Sequence, residues 1–365
     1  MKVISPPKTI DDLVHGFQWI ANRVDTKSWS RAEFLQTFYS IMDGLIAMLD
    51  TGERALLFGN HPPADYASMI PEWTNLAIIK VREIMSRSPA FRVGSGNPWT
   101  HGVIDYILRH QIWMPLGSKD ELKDVSPSWL LVEEILLESD LAEQHREKIR
   151  RQGDFLKRLI LWKPQDSVIR IVSLWCGQSP EIQEVLSDAT VANAIKNYKI
   201  KIEFILVDHD QDAIAISERE IQSKGLCESI QVISHTADVL SFLKNNTDSD
   251  MIDWVIAGGL LDYFKDKTLT TIVRRVMNKL KVGGEFFFTN IANGVDNPSS
   301  ENAYPTEQAK RDLILLRWLM RWLMHHRTAK DLERIIEEWS NWTPHSTSIV
   351  PITNSRAHVV IVTRD

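Results

Sequence analysis

From residue 167 to residue 365 the chain alternates apolar runs with amphipathic ones, and that alternation restricts the fold more than any other feature. "SVIRIVSLW" (167–175), "KIEFILVDHD" (201–210), "SIQVISHTAD" (229–238), "MIDWVIAGG" (251–259) and "GGEFFFTNI" (283–291) read as buried strands. "PEIQEVLSDATVANAIKN" (180–197), "QDAIAISEREIQSKG" (211–225) and "KDKTLTTIVRRVMNKL" (265–280) read as helices between them. Strands separated by helices at this spacing imply a parallel, doubly wound α/β sheet. The ending differs. "STSIVPI" (346–352) and "AHVVIVT" (357–363) are joined by the four residues "TNSR", a hairpin, so the last strand runs antiparallel to its neighbour.

Residues 1–160 follow a different grammar. Segments 11–24, 30–50, 72–88 and about 141–161 place apolar residues three and four apart, the period of amphipathic helices. The stretch 115–128, "PLGSKDELKDVSPS", is polar with Gly, Ser and Pro and reads as a linker. The expected organisation is therefore a helical N-terminal domain, 1–160, covering the active site, and a ligand-binding α/β domain, 161–365.

Composition narrows the function. The net charge of −6 disfavours nucleic acid as the main partner, because phosphate binding needs a basic face. The one basic run, "REKIRRQ" (146–152), reads as a solvated helix face. Two cysteines, Cys176 and Cys227, make neither a disulfide framework nor a metal cluster. No apolar leader is visible at the N-terminus, and no run approaches the roughly 20 apolar residues of a membrane span. A cytoplasmic enzyme with a small-molecule partner is the expectation, and homodimerisation stays open. Thirteen tryptophans imply large apolar walls, in the core or around an apolar ligand; Trp73, Trp99 and Trp113 are candidates for either.

A doubly wound sheet binds its ligand at the carboxyl ends of its strands, where the strand order reverses. That rule points to "SLWCGQSPE" (173–181): Ser173, Trp175, Cys176, Gly177 and Glu181 surround a sharp turn whose following helix presents N–H groups to an anion. Asp208, with His209 beside it, closes the second strand, where an acid accepts ribose hydroxyls. Asp238 and Val239 close the third, where an adenine amine would lie. Gly258 and Gly259 end the fourth and leave room for substrate. NAD is disfavoured because the chain has no G-x-G-x-x-G and because the terminal hairpin is foreign to that plan.

These residues resemble those of class I methyltransferases dependent on S-adenosylmethionine (SAM), with seven strands and the last antiparallel. Four stretches are further similar to a bacterial family that makes 3-hydroxypalmitic acid methyl ester, an extracellular signal: "RRQGDFLKRLI", "SLWCGQSPEI", "AGGLLDYFKD" and "LRWLMRWLMHHRTAKDL". Its first turn resembles S-L-G-C-G-P-x-x-E, which Ser173, Leu174, Cys176, Gly177 and Glu181 match and Trp175 does not. Its A-G-L-x-D-Y-L matches Gly259, Leu260, Asp262 and Tyr263. Its W-x-L-x-Y-R matches Trp322, Met324 and Arg327, with His326 where tyrosine is usual.

The resemblance implies SAM as cofactor and O-methylation of a small apolar acceptor, such as a hydroxy-fatty acid carboxylate. Two alternatives stand beside it: tailoring of a polyketide or peptide product, and a non-catalytic binding or regulatory protein on a degenerate scaffold. Arg327 is the candidate cation for an acceptor carboxylate; His326 or His325 is the candidate base for a hydroxyl acceptor, and Tyr263 would face the sulfonium. Asn290, Tyr304 and Trp322 are candidate substrate contacts. The bland alternatives are a polar helix end at 325–327 and simple packing by Tyr263. Trp175 leaves three outcomes open: the indole swings aside, faces the cofactor's cation, or fills the site.

Overall fold

The computed structural model describes residues 31–48, 79, 81–85, 140–245, 252–292, 311, 324–340, 345–352 and 357–365, with scattered helical positions between 12 and 19. The expected linker, Trp73, Trp99, Trp113, Tyr304 and Trp322 lie outside the described residues. The chain separates into two compact units, Met1–His145 with Asn297–Met324, and Arg146–Asp296 with His325–Asp365. The division expected at residue 160 assigns 146–160 and 297–324 differently.

In the first unit, helix α1 (Arg31–Met48) buries Phe38, Ile41 and Met42. Its Asp43 accepts two hydrogen bonds from Arg311, from Nε at 2.7 Å and from Nη2 at 2.6 Å, while the guanidinium lies over Tyr39. The bidentate geometry fixes direction as well as charge.

The second unit holds the sheet. Helix α2 (Asp140–Leu161) leads into β1 (Val168–Leu174), followed by α3 (Pro180–Ser187), α4 (Ala189–Asn197), β2 (Lys201–Asp208), α5 (Gln211–Gln222), β3 (Ile230–Thr236), α6 (Val239–Asn245) and β4 (Ile252–Ala257). A 3-10 turn (Leu260–Tyr263), α7 (Asp266–Lys279), β5 (Leu280–Ile291), α8 (Ala329–Ser340), β6 (His345–Pro351) and β7 (Ala357–Arg364) complete it. The seven strands lie in the order β3-β2-β1-β4-β5-β7-β6. β1 is parallel to both β2 and β4, and β7 is antiparallel to both β5 and β6. This is the seven-stranded, doubly wound α/β sheet with an antiparallel last strand that the sequence led us to expect.

Alternation along the strands supplies both faces with apolar side chains. Val172, Leu174, Ile205, Val207, Val255, Phe286 and Phe288 face α6, α7 and α8. Ile169, Ile171, Phe204, Leu206, Ile256 and Phe287 face α2, α3, α4 and α5. β1 and β4 are neighbours yet their connections leave in opposite directions, so the switch point lies at the carboxyl end of β1.

Three local departures have identifiable causes. The helix expected over 180–197 is two helices, because Asp188 takes an extended conformation and its side chain accepts from the N–H groups of Thr190 and Val191, capping α4. Helix α6 forms where no helix was anticipated, with Val239, Phe242 and Leu243 turned into the core. β5 starts at Leu280, ahead of its apolar run. There its pairing with β4 shifts register between Ile252 and Trp254.

The shift brings backbone against backbone at Gly284, where a Cβ would stand 2.8 Å from the Lys281 carbonyl oxygen and 2.9 Å from that of Asp253. Gly284→Ala is therefore expected to lower stability by about 1–3 kcal/mol, the usual range for overpacking. Urea denaturation followed by circular dichroism measures it, and an unchanged midpoint would contradict the register described.

Candidate functional site

β1 ends at Leu174, and the chain then turns through three residues with left-handed backbone: Trp175 (φ 55°), Gly177 (φ 52°) and Ser179 (φ 51°). Glycine takes this conformation freely, whereas a residue with a Cβ gives up roughly 1–2 kcal/mol. The turn is held from the neighbouring strand. Cys176 N donates to the Val207 carbonyl at 3.1 Å, Gly177 N donates to Asp208 Oδ2 at 2.8 Å, and Ser179 N closes onto Cys176 O at 2.8 Å. Trp175 thus keeps the backbone course of a glycine because the residues on either side determine it.

Its indole lies between two rings, that of His209 at the tip of β2, 5.7 Å away and edge-on, and that of Tyr263 after β4, 5.3 Å away and tilted. Trp175 is half-buried against the α6–α8 core. The ring neither turns away into a helix interface nor vanishes into the core. It forms a wall across the ends of β1, β2 and β4.

The acids beside the turn, Asp208 at the end of β2 and Glu181 in α3, are buried. Asp208 is 2% exposed; Oδ1 accepts from Asp210 N at 2.9 Å and lies 3.1 Å from His209 Nδ1. Burial raises the pKa of Asp208, and the backbone N–H groups of Asp210 and Gly177 oppose the rise. Glu181, in the first turn of α3, is pushed up to about 7, chiefly by burial, although its own backbone N–H opposes the shift. Burial, with Asp208 and Glu181 nearby, drives the Cys176 thiol well above its usual range, so it stays protonated and inert. Ser173 is a buried residue of β1. The α3 start is a poorer anion site than expected. Pro180 has no N–H, and the N–H of Glu181 is taken by its own carboxylate.

The other candidates fall into distinct places. Asp238 caps α6, accepting from Ser241 N at 3.0 Å, and these hydrogen bonds lower its pKa. Val239 is buried behind it. Gly259 is open, whereas the Gln152 side chain lies against Gly258. Tyr263 sits in the aromatic wall, and burial raises its hydroxyl above the ordinary phenol range.

Arg327 and Asn290 belong to a scaffold instead of an open site. Arg327 is wholly buried. Its Nε donates to Asp266 Oδ1 (3.0 Å), its Nη1 to Asn290 Oδ1 (2.7 Å) and Leu261 O (3.2 Å), and its Nη2 to Phe264 O. Asn290 returns a hydrogen bond from Nδ2 to His325 O at 3.0 Å. A guanidinium so engaged does not steer an acceptor carboxylate; the geometry gives Arg327 the task of tying β5 to the loop after β4. His325 and His326 are buried and lie outside helix and strand.

Sequence reasoning missed the partner of this scaffold. Lys148 and Asp262, both 2% exposed, form a salt bridge at 3.0 Å, and Asp262 Oδ1 also accepts from Ile291 N at 2.6 Å. The run 146–152, expected to be solvated, therefore buries Lys148 and Gln152. Their spacing was the available signal: 148, 152, 155, 156 and 159 share one helical face, and the last three are core apolar residues.

No family model matches the chain, and no curated protein matches it. Solved structures do. A possible exported protein from Bordetella parapertussis is 15% identical with a TM-score of 0.51, covering 98% of this chain and 97% of that chain. The mitomycin 7-O-methyltransferase MmcR is 12% identical (TM-score 0.41; 97% and 93% covered). The SAM-dependent methyltransferase SibL is 16% identical (TM-score 0.41; 96% of each covered). These likenesses concern the fold.

Two outcomes follow from the buried charges. Lys148→Met leaves Asp262 buried without its cation and is expected to cost about 3 kcal/mol of stability, measured by chemical denaturation. Glu181 has a folded pKa near 7 against an ordinary 4.5. The folded chain holds a proton that the unfolded chain has lost between those values, so stability falls as pH rises through that window. Glu181→Gln is expected to remove about 3 kcal/mol of the difference in unfolding free energy between pH 4.5 and pH 8. Parallel pH profiles for variant and wild type would refute the assigned burial.

Proposed function

We propose that the chain is a SAM-dependent methyltransferase acting on an oxygen of a small, partly apolar acceptor. The observation that carries this reading is the turn after β1. Two positions of left-handed backbone, Trp175 and Gly177, lie at the topological switch point, with Gly177 N clamped by the acid that ends β2. The residues fit such a ligand in backbone course and in charge. The turn keeps a glycine's path despite its tryptophan, and the buried carboxylate of Asp208 favours a cation.

The turn 174–177 would hold the amino-acid end of the cofactor, Asp208 its ribose, and the Asp238–Val239 corner its adenine. When bound, SAM supplies an electrophilic methyl group on a sulfonium. The chain's own task is alignment and exclusion of water, and alignment carries much of the rate in such displacements. A carboxylate acceptor, with an ordinary pKa near ~4, arrives ionised and needs no base. Tyr263, whose hydroxyl keeps its proton, would serve as a hydrogen-bond donor and not as a base. Among acceptors of this kind a hydroxy-fatty acid carboxylate is our first choice, on the strength of the short motifs it shares with that family.

One observation favours a second reading, a binding or regulatory protein without catalysis: the indole lies across the strand ends while both oxygens of Asp208 are already engaged by the protein. Calorimetry of the purified chain with SAM and S-adenosylhomocysteine separates the two. We expect stoichiometric binding of SAM and, with a panel of acids and phenols, label from methyl-labelled SAM in an ester or ether. A folded protein that binds neither ligand would favour the second reading.

A further inference from the structure

We infer that Trp175 is a specificity element: its indole, with the ring of Tyr263, forms an aromatic wall that selects a cationic ligand over its neutral counterpart. This rests on the reading of the crevice as a SAM site. Four observations converge on it. The indole stands at the ends of β1, β2 and β4, at the switch point of the sheet. It is only half-buried, so it is not a simple core filler. Two further rings flank it at 5.3 and 5.7 Å, and His209 leaves its own side chain 53% exposed at the outer edge. The residue before His209, Asp208, ends β2 with its carboxylate buried and clamps the N–H of Gly177, two residues after the indole.

Aromatic faces beside the buried carboxylate of Asp208 make a site with little polar surface that attracts a weakly hydrated cation. A sulfonium, or the ammonium of an amino-acid tail, meets that description, whereas a thioether loses the sulfonium part of the attraction. The chain tolerates a β-carbon at left-handed backbone in order to keep the ring there. In chemical terms, the wall favours the charged methyl donor and releases the neutral product once the charge is gone.

Calorimetry with SAM and S-adenosylhomocysteine tests this on the full chain. Trp175→Leu keeps an apolar side chain and the backbone strain but removes the π face. We expect the preference for SAM over S-adenosylhomocysteine to fall about tenfold in Trp175→Leu, within the range of a cation–π contact, with the affinity for S-adenosylhomocysteine nearly unchanged. Trp175→Phe is expected to retain most of the preference. An unchanged preference in Trp175→Leu, or an equal gain for both ligands in Trp175→Gly, overturns the inference and makes the indole an obstacle while sparing the cofactor reading. Absence of binding by either ligand to both wild type and Trp175→Gly, each shown folded by circular dichroism, removes the cofactor reading and this inference with it.

Discussion

The loop from Gly258 to Asp266 depends on two ion pairs, one fully buried and one whose carboxylate reaches the surface, and the carboxyl edge of the sheet depends on that loop. Lys148 reaches Asp262 from α2, and Arg327 reaches Asp266 from the chain before α8. Taking charges out of water is costly, and each pair is tolerable because hydrogen bonds satisfy what remains. Asp262 also receives the Ile291 N–H, and Arg327 also donates to three oxygens. A half-made version of this network would be worse than an apolar core. The loop after β4 therefore has one arrangement, and that arrangement presents Tyr263 to Trp175.

On the other side of the crevice a carboxylate does similar work without a cation from Lys or Arg. Asp208 gathers the N–H groups of Gly177 and Asp210, so the ends of β1 and β2 are bound to a single side chain. Asp208, which we propose as the ribose contact, is thus already a structural clamp. Asp208 is buried, and its chain neighbour His209 packs edge-on against Trp175. Fold, strain and electrostatics agree in pointing to one corner of the molecule.

Much of this was legible in the residues. Apolar runs read as ending at residues 175, 210 and 259 put the strand ends within two residues of Leu174, Asp208 and Ala257, and the four residues 353–356 between two apolar runs implied the antiparallel final strand. The role of Arg327 was not legible. A charged residue reads alike whether it faces substrate or the interior, because its partners, Asp266, Asn290 and two carbonyls, come from distant parts of the chain. Lys148 was misread for the same reason: a basic run looks solvated until a carboxylate 114 residues away is brought beneath it. The break at Asp188 was a local signal overlooked, since an aspartate two and three residues before unpaired N–H groups is a cap.

By itself the sequence determined the succession of strands, most of the helices between them, the doubly wound class and the reversal of the last strand, and it singled out one turn as a candidate site. Those properties follow from periodicity and turn chemistry, which act over a few residues. Only the tertiary structure decided which polar groups are consumed by the scaffold and which remain for a ligand. It also decided that the indole of Trp175 stands as a wall beside Tyr263 and His209. Burial and pairing are properties of groups far apart in the chain, and no local pattern encodes the point at which they meet.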